Sequence, residues 1–573
     1  MKKLLTAFSA LALGPFLGAG LGPGSAFAAD MPVAYQAPPV IWSWTGFYIG
    51  GHVGAGFGSS MFSDPAGPPI YGGTVPGTAA LGGGQVGYNW QIPNTKVVLG
   101  IETDADVMSS NGTGTCLASS GFFISSNCRV RPDAGGSFTG RIGLATGTAG
   151  RTLLYVKGGG AWLDEHIDIT PNDLASAVPS TFDGVQWGWT VGAGLERALT
   201  PAWSLRLEYD YAKFGNLGMS TPASFLQVAP PLPNGYVATA GGTSNISQSM
   251  QTVKVGLNYK LGEDLHAQWQ PPASDYHLRG TADAPYVPDA EIEVGGRTWY
   301  SSSRFQKDLG ASPFQTQPGS LVSRLTYDST AASGEVFARI DTASNIFVKG
   351  FIGGGKTLSG NMHDEDWLIF NETVPYSNTL SSVTGDLAYG TFDVGYSVFR
   401  GPNANVGGFV GFNYYRDNKS AYGCAQIANP NSDCVPPIPN STLGITEDDQ
   451  WYSVRVGLNG VVTIADRLKL TADAAYLPYV AFRGADNHLL RTDVSNTVSP
   501  ETGTGQGVQL EAILSYAFTN SFSVGAGGRY WAMWAPSAYT NGFGTPCPCQ
   551  GLPVSTERYG AFLQASYKFG GLL

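Results

Sequence analysis

Short segments in which apolar and polar residues alternate run along most of the chain. In residues 44–58, WTGFYIGGHVGAGFG, the side chains of Phe47, Ile49 and Val53 share one face, and small or polar residues share the other. Strict alternation is typical of a β-strand whose two faces meet different surroundings. Beyond the N-terminal segment no apolar run reaches 18 residues, the length that a membrane-spanning helix requires. The pattern therefore predicts an all-β chain.

The first half contains about eight such segments, and the connections between them alternate between short and long. Residues 91–96 and 146–150 are examples of the short connections, and residues 108–134 of the long ones. Membrane β-barrels have short turns on the periplasmic side and long loops at the cell surface. The predicted strands lie near residues 44–58, 83–90, 97–107, 137–145, 153–162, 188–197, 203–211 and 251–261.

The charged residues of these segments fall on the face opposite the apolar side chains. Eight strands enclose a lumen just wide enough for side chains to fill, and charges buried there have to be paired. We therefore expect a lumen closed by ion pairs rather than an open pore. The residues predicted to face inward are Glu102, Asp104, Arg141, Lys157, Glu196, Arg206, Glu208, Asp210 and Lys254.

The first half also resembles a known family over residues 31–261. The sequences WTGFYIGGHVG, GGGQVGYNWQ, LRLEYDYAKFG and VKVGLNYKL are similar to those of the OmpA-like eight-stranded surface-antigen barrels of Gram-negative outer membranes. The resemblance implies an eight-stranded barrel and a location in the outer membrane. It implies no chemistry.

Alternation stops at residues 262–290, which contain several prolines and mixed charge, and it resumes over residues 291–573 with about ten more strands. A flexible linker of that length reaches about 30 Å, enough to join two barrels that lie side by side. A single barrel of about eighteen strands would need only a short turn at this point. We therefore predict two closed, antiparallel transmembrane β-barrels of about eight and about ten strands, joined by a periplasmic linker.

The N-terminus and the composition agree with export to a membrane. Residues 1–28 combine Lys2 and Lys3, an apolar run and the small residues Ala26 and Ala28, which predicts a cleaved signal peptide. The chain has 78 glycines, and only 13% of its residues are charged. Its formal net charge of -11 argues against nucleic acid as a partner. The expected partners are outer-membrane lipid, lipopolysaccharide and the barrel-assembly machinery.

Two polar clusters of the second half lie in predicted outer loops. GNMHDEDWL at 360–368 supplies Asp364 and Asp366, and GADNHLL at 484–490 supplies Asp486 and His488. In a ten-stranded barrel these two loops stand across the mouth from each other. A histidine near its ordinary pKa of about 6.5 can take a proton from water, and a neighbouring carboxylate stabilises the imidazolium. The pairs predict hydrolysis of a peptide bond by activated water, with peptides as substrates.

Residues 291–573 resemble the omptins, ten-stranded outer-membrane proteases, through GNMHDEDW, VSRLTY at 322–327 and the Asp-x-His pair. The resemblance implies that Asp364, Asp366, Asp486 and His488 are catalytic. Omptins that cut beside basic residues carry an acid where this chain has Gly484, and a Glu near the end of the first strand, where WYSSSRF has none. Of the family's lipopolysaccharide-binding row only Arg416 is kept, since Phe412 and Tyr414 replace the other positions as counted along the strand.

Three functions remain open on the sequence alone. Acid clusters in surface loops are commonly solvated, which favours a structural or surface-interaction barrel protein. The alternative is a surface endopeptidase that uses Asp364, Asp366, Asp486 and His488. A porin-like diffusion channel is a second alternative, which the charge-filled first lumen disfavours. The sequence predicts neither a cofactor nor a metal site.

The six cysteines form three close pairs, all in predicted outer loops. Export makes disulfides the default, and a loop of about a dozen residues closed in this way is stabilised by about 2–3 kcal/mol. We predict disulfides between Cys116 and Cys128 and between Cys424 and Cys434. The sequence gives no clear role for Cys547 and Cys549, which are separated by one residue.

Overall fold

The computed structural model describes most of the chain beyond residue 41. The described residues are 42–570 except 66, 70, 111, 119–124, 148–149, 172–178, 222–223, 229–234, 240, 263–289, 311–320, 368–375, 402–403, 429–432, 466, 493–496 and 542–549. The predicted signal peptide, nearly all of the predicted linker, and Cys547 and Cys549 lie outside the described residues. The described part contains no helix that is long and apolar enough to cross a membrane.

The first half of the described chain consists of twelve antiparallel strands. Eight of them, β1, β2, β3, β5, β6, β7, β8 and β12, form a sheet that the pairing of β1 with β12 closes into a barrel. The remaining strands are short extensions at the long-loop end. The bounds are β1 Gly46–Phe62, β2 Thr74–Gln91, β3 Val97–Ser110, β4 Gly112–Cys116, β5 Ser126–Thr146, β6 Thr152–Pro171, β7 Ser180–Ala198, β8 Trp203–Phe214, β9 Leu217–Thr221, β10 Ser224–Val228, β11 Gly235–Thr239 and β12 Gly242–Lys260.

The second half forms a separate closed sheet. Ten long strands, β13 to β21 without a break and then β24, are joined into a ring by the pairings of β13 with β24 and of β19 with β20. The bounds are β13 Ala290–Gly310, β14 Leu321–Thr342, β15 Ile346–Asp366, β16 Ser377–Gly401, β17 Ala404–Gln426, β18 Ile438–Ala465, β19 Leu468–His488, β20 Val498–Ala517, β21 Phe522–Ala535, β22 Tyr539–Thr540, β23 Gln550–Gly551 and β24 Val554–Gly570. The predicted fold of two antiparallel barrels, with about eight and about ten strands, is confirmed.

The short connections of both barrels lie at the ends where residues 261 and 290 are found. Lys260 bonds to the turn at Ala202, and Ala290 pairs with Thr342, where the turn to β15 begins. Asn345 in that turn has a φ of 65°, a conformation that asparagine adopts more readily than most residues. The position of these two chain ends is compatible with a linker on the periplasmic side, and the domain bounds remain a prediction.

Ion pairs fill the first lumen, as the alternation predicts. Arg206 contacts Glu102 at 2.6 Å, and Lys157 contacts Glu208 at 2.8 Å and Asp210 at 3.3 Å. All nine charged residues predicted to face inward are buried. The network also contains residues that the sequence analysis did not count among these charges: Tyr48 donates to Glu102, Tyr155 donates to Glu208, and His52 pairs with Asp106.

A layer of aromatic side chains crosses the second lumen near its middle. Trp299, Tyr389 and Trp531 pack edge to face, with ring centroids 5.1–5.7 Å apart. The guanidinium of Arg529 lies 4.9 Å from the centre of the Trp299 ring and binds Glu335 at 2.7 Å. Below the layer, toward the short turns, is a polar cavity of about 330 Å³. The layer separates this cavity from the outer end of the barrel.

Exposed apolar side chains on the outside of the second barrel mark where lipid contacts it. On β15 these are Ile346, Ile352 and Leu358, and on β19 they are Tyr476 and Tyr479. A tilted strand needs about 9–11 residues to cross the bilayer. Strands of 20 residues or more therefore continue well beyond the membrane on the long-loop side.

This continuation corrects the predicted position of the polar clusters. Asp364, Asp366, Asp486 and His488 were expected in loops, yet they lie on the outer ends of β15 and β19. The strands continue because Met362 and Phe482 turn inward and join the central hydrophobic cluster of the barrel. Buried apolar residues beyond the lipid belt keep the strands paired above the membrane.

Candidate active site

A β-bulge in β15 determines which of the clustered charges face the lumen. Ser359 pairs with Thr330 and Thr357 pairs with Ala331, so Leu358 is an extra residue relative to β14. Each added residue reverses the faces of the residues that follow. Before the bulge the odd-numbered residues face inward, and after it the even-numbered residues do so, among them Asp364 and Asp366. His363 and Glu365 face outward.

Gly360 makes this crowded bend possible. A Cβ atom on Gly360 would lie 2.8 Å from the carbonyl oxygen of Asp328, 3.0 Å from Cβ of Ser329 and 3.2 Å from Cβ of Val383. Real side-chain carbons do not approach a backbone oxygen so closely. A glycine at the bulge therefore permits the close approach of neighbouring strands just before Asp364.

Asp486 and His488 form the second inward pair, at the end of β19. Nε2 of His488 lies 2.8 Å from Oδ2 of Asp486, a hydrogen-bond distance. Nζ of Lys307, from β13, contacts the same Oδ2 at 2.9 Å. Burial raises the pKa of Asp486, but the two cationic neighbours outweigh it and hold that pKa well below its usual value. Burial lowers the pKa of His488, and Asp486 more than offsets this, so the pKa lies above 6.5.

The two inward pairs lie on opposite walls of the barrel. Three strands, β16 to β18, separate β15 from β19 in the ten-stranded ring. The sides are nevertheless close enough for their charges to interact: His488 favours the charged form of Asp364, and Asp486 opposes it. The structure therefore places all four residues at the outer end of the barrel, and their catalytic role remains a prediction.

The surroundings of Asp364 and Asp366 raise the pKa of both carboxyl groups. Burial raises the pKa of Asp364 to about 6, with His488 acting in the opposite direction. Burial and the negative charge of Asp364 raise the pKa of Asp366 well above its ordinary value. Two carboxyl groups so close together do not readily ionise together. The pair therefore gains a proton more readily than two exposed aspartates would, and His488 opposes this at Asp364.

Three buried charges next to this site were not identified from the sequence. Nζ of Lys307 contacts Asp486, Glu501 at 2.9 Å and Glu447 at a shorter distance. Alternate residues of a strand face inward, and counting along these strands could have indicated all three charges. Lys307 follows inward Trp299 and Phe305 on β13 at even spacing, and Glu447 precedes inward Trp451 by four residues. They were missed because the sequence pattern was interpreted as outer loops over residues 304–318, 418–449 and 482–506, which contain Lys307, Glu447 and Glu501.

Glu501 also explains how the barrel accommodates Gly484. A Cβ atom on Gly484 would lie 2.5 Å from Oε2 of Glu501 and 2.8 Å from the Phe482 ring. The side chain of Glu501, from the neighbouring strand, thus fills the space where omptins that cut beside basic residues carry an acid. The inner wall of the site is acidic although Gly484 is not.

The carboxylates of Glu447, Asp449 and Glu501 come within 4.8 Å of one another, close enough to hold a metal ion. The ammonium group of Lys307 already binds Glu447 and Glu501, and that of Lys419 binds Asp449. Two resident cations inside a carboxylate cluster oppose a divalent ion by charge repulsion. The donor set therefore fits internal ion pairing better than a metal centre.

The outward residues of the same segment contact the first barrel. Oγ1 of Thr115, in the β4–β5 hairpin, donates to Glu365 at 3.0 Å, and the ring of Tyr71 stacks on His363 with centroids 4.1 Å apart. Arg324 also donates to Thr115, at 2.6 Å. Glu365 is fully buried by these contacts. The row of four titratable residues therefore divides between two tasks, with two acids facing the lumen and two residues in the contact between barrels.

Arg416 faces outward above the lipid belt, on β17. Its guanidinium makes a two-point ion pair with Asp448, with distances of 2.7 and 2.8 Å. Both residues are about one-third exposed. A lipopolysaccharide phosphate would have to compete with Asp448 for Arg416, and the role of Arg416 remains a prediction.

Both disulfides that the sequence predicts are present in the structure. Cys116 and Cys128 join β4 to β5 with Cα atoms 5.8 Å apart, and Cys424 and Cys434 are joined with Cα atoms 5.7 Å apart. The first bond closes the hairpin that carries Thr115 to Glu365. It therefore constrains a part of the contact between the barrels.

The two closed sheets, with lipid-facing belts and short turns at one end, define a β-barrel protein of the outer membrane. Residues 24–260 match a family described as outer membrane protein beta-barrel domain, and residues 315–534 match the omptin family. The chain is 34% identical over 251 residues to the 31 kDa outer-membrane immunogenic proteins of Brucella melitensis and Brucella suis, covering 41% of this chain and 94% of each relative. The chain thus belongs to this family of outer-membrane β-barrel proteins, through its first barrel.

Among solved structures, the chain is similar to the outer membrane protease OmpT from Escherichia coli. The sequence identity is 15%, the TM-score is 0.40, and the match covers 50% of this chain and 99% of the protease. The family matches confirm both resemblances and the location in the outer membrane. The residues that match the omptin family, 315–534, include both polar clusters.

Proposed function

We propose that the second barrel is an endopeptidase of the cell surface that hydrolyses peptide bonds with activated water. One observation carries the proposal: the inward pair Asp364 and Asp366 faces the inward, hydrogen-bonded pair Asp486 and His488 above the membrane. Asp486 and His488 have a distance and a polarity suited to general-base catalysis. The omptin match over residues 315–534 supports the same function.

The proposed reaction begins with a water molecule between His488 and Asp364. His488 takes a proton from the water as the oxygen attacks the peptide carbonyl, and Asp486 stabilises the imidazolium that forms. Protonated Asp366 can donate a hydrogen bond toward developing negative charge on the carbonyl oxygen. His488 then passes its proton to the leaving nitrogen, and no covalent intermediate forms.

The first barrel fits a structural and surface-interaction role. Its lumen is filled by ion pairs, and its relatives are named outer-membrane immunogenic proteins. Its β4–β5 hairpin supports the outer end of β15. The filled first lumen and the aromatic layer of the second disfavour solute diffusion. We include outer-membrane lipid, lipopolysaccharide and the barrel-assembly machinery among the partners of the folded chain.

The test uses the full mature chain, refolded with and without lipopolysaccharide and incubated with a peptide library. The wild-type protein is expected to cleave peptides, and the His488→Ala and Asp364→Ala proteins are not. His363→Ala is the matched control, because His363 lies one residue from Asp364 and faces out of the lumen. Folded wild-type protein that cleaves no peptide would leave only the structural and surface-interaction role.

A further inference from the structure

Lys307 lies at the centre of three carboxylates directly beside the proposed catalytic pair. Its ammonium group contacts Asp486 at 2.9 Å, Glu501 at 2.9 Å and Glu447. The side chain of Lys307 is buried, and so are all three acids. Three carboxyl groups, from β18, β19 and β20, thus surround the one ammonium group that β13 supplies.

The pocket has more negative charge than its lysine can balance. One ammonium faces three carboxyl groups, of which Asp486 also contacts His488, and no described protein atom donates a hydrogen bond to Oε1 of Glu447, Oε2 of Glu501 or Oδ1 of Asp486. Burying charge without a partner is costly, so such a cluster holds a cation firmly. These acceptor atoms belong to side chains that are at least nine-tenths buried, and the other oxygen of each carboxyl group contacts Lys307.

We propose that Lys307 occupies the position that a basic substrate side chain would otherwise take, and that it thereby excludes arginine and lysine from the site. The inference rests on the proposed peptidase function. Lys307 is then a specificity-determining residue, which acts as a built-in substitute for a substrate cation. Neutral side chains, which need no acidic partner, remain acceptable next to the cleaved bond.

Once Lys307 is shortened, the geometry of the pocket favours binding of a substrate side chain in its place. Asp486 binds both Lys307 and His488 through the same Oδ2 atom, so the pocket begins where the proposed reaction takes place. Replacing lysine by alanine would remove three methylene groups and the ammonium group, and would leave three carboxyl groups around the emptied volume. An arginine or lysine side chain matches both the length and the charge of the group removed.

The decisive variants are Lys307→Ala, which empties the pocket, and Lys307→Met, which removes the charge but keeps a chain of similar length. Binding of benzamidine, a small amidinium cation, is measured calorimetrically on the full refolded proteins. We expect Lys307→Ala to bind benzamidine at least tenfold more tightly than the wild type or Lys307→Met. Equal affinity for all three folded proteins would overturn the proposal.

A peptide library supplies the second measurement. The kcat/KM of Lys307→Ala should shift at least tenfold toward bonds beside arginine or lysine, relative to wild type and Lys307→Met. If no protein cleaves any peptide while Lys307→Ala alone binds benzamidine, the proposed function fails and the binding pocket stands. If the wild type cleaves but the library shows no shift in Lys307→Ala, the proposed function stands and the role of Lys307 is rejected.

Folding of the alanine variant is checked by the gel mobility shift that folded barrels show on heating. If it does not fold, Lys307→Ala is combined with Glu501→Gln, which removes one of the unbalanced charges. The wild type gives a test that needs no variant: it should neither bind benzamidine nor prefer bonds beside basic residues. Either behaviour in wild-type protein would contradict occupation of the pocket by Lys307.

Discussion

The lumen of the first barrel and the outer lumen of the second both contain buried acids, but they balance them differently. In the first, Glu102, Asp104, Asp106, Glu196, Glu208 and Asp210 each have a cationic partner within 3.6 Å. In the second, no cation among the described residues lies within 4.0 Å of Asp364 or Asp366. Ion pairs hold the strands of the first barrel together. The two carboxyl groups of Asp364 and Asp366 contact no cation among the described residues, and they are the pair that the proposed function uses.

The two lumens are expected to contribute to different properties, the first to stability and the second to activity. The first lumen is expected to matter for folding and little for cleavage, because each of the six acids named above contacts a cation, and breaking a buried ion pair is costly. The Asp364 and Asp366 pair is expected to matter for cleavage and little for folding.

The largest effect is expected from His488→Ala. Loss of a general base lowers the rate by about 10²–10⁴-fold, and kcat on a cleaved peptide should fall by at least that much. The control His363→Ala should stay within a fewfold of wild type, because His363 contacts the first barrel and not the lumen. Equal losses in the two variants would mean that the inward and outward faces of the site do not differ in function.

The second prediction compares the free energy of unfolding with peptide cleavage in two variants. Arg206→Met breaks buried ion pairs of the first lumen and should lower the free energy of unfolding by about 3 kcal/mol, with cleavage unchanged. Asp366→Asn should do the opposite, because no cation among the described residues binds Asp366, and an amide cannot share a proton with Asp364. Urea titration in lipid vesicles measures the first quantity. A large stability loss in Asp366→Asn would contradict the contrast.

The third prediction concerns pH. His488 has to be neutral to take a proton, and its pKa is raised above 6.5 by Asp486, so activity should rise with pH at a midpoint above 6.5. Asp486→Asn removes the carboxylate and should move this midpoint down by about one unit, with a lower maximal rate. The pH profile of kcat/KM measures both. A midpoint that does not move would remove Asp486 from this role.

The smallest effect is expected where the two barrels meet. Thr115→Val removes the hydroxyl that contacts Glu365 and Arg324, which should lower stability by about 1–2 kcal/mol and kcat by a fewfold. Thr103, on β3, donates to the carbonyl oxygen of Ser137 at 3.0 Å within the first barrel, and Thr103→Val gives the control variant. Equal effects of the two substitutions on kcat would mean that the contact with Glu365 does not help to position β15.

Alternation was sufficient to predict two barrels and most of the first lumen, because side-chain parity is fixed along an uninterrupted strand. It also placed Asp364 and Asp366 opposite Asp486 and His488, by the order of the strands. Lys307, Glu447 and Glu501 were missed, since polar residues above the lipid belt look the same in a loop and in a continuing strand until their spacing from the inward aromatic residues is counted. Contacts between the barrels join residues far apart in sequence and leave no local pattern.

The bulge at Leu358 makes the identity of the lumen-facing residues depend on chain length. Deleting one residue there would restore the parity of the lower strand and would turn His363 and Glu365 into the lumen in place of Asp364 and Asp366. All four residues would be retained and the composition of the segment would hardly change. A single-codon deletion outside the polar cluster could thus exchange the lumen-facing surface of this strand with the surface that contacts the first barrel.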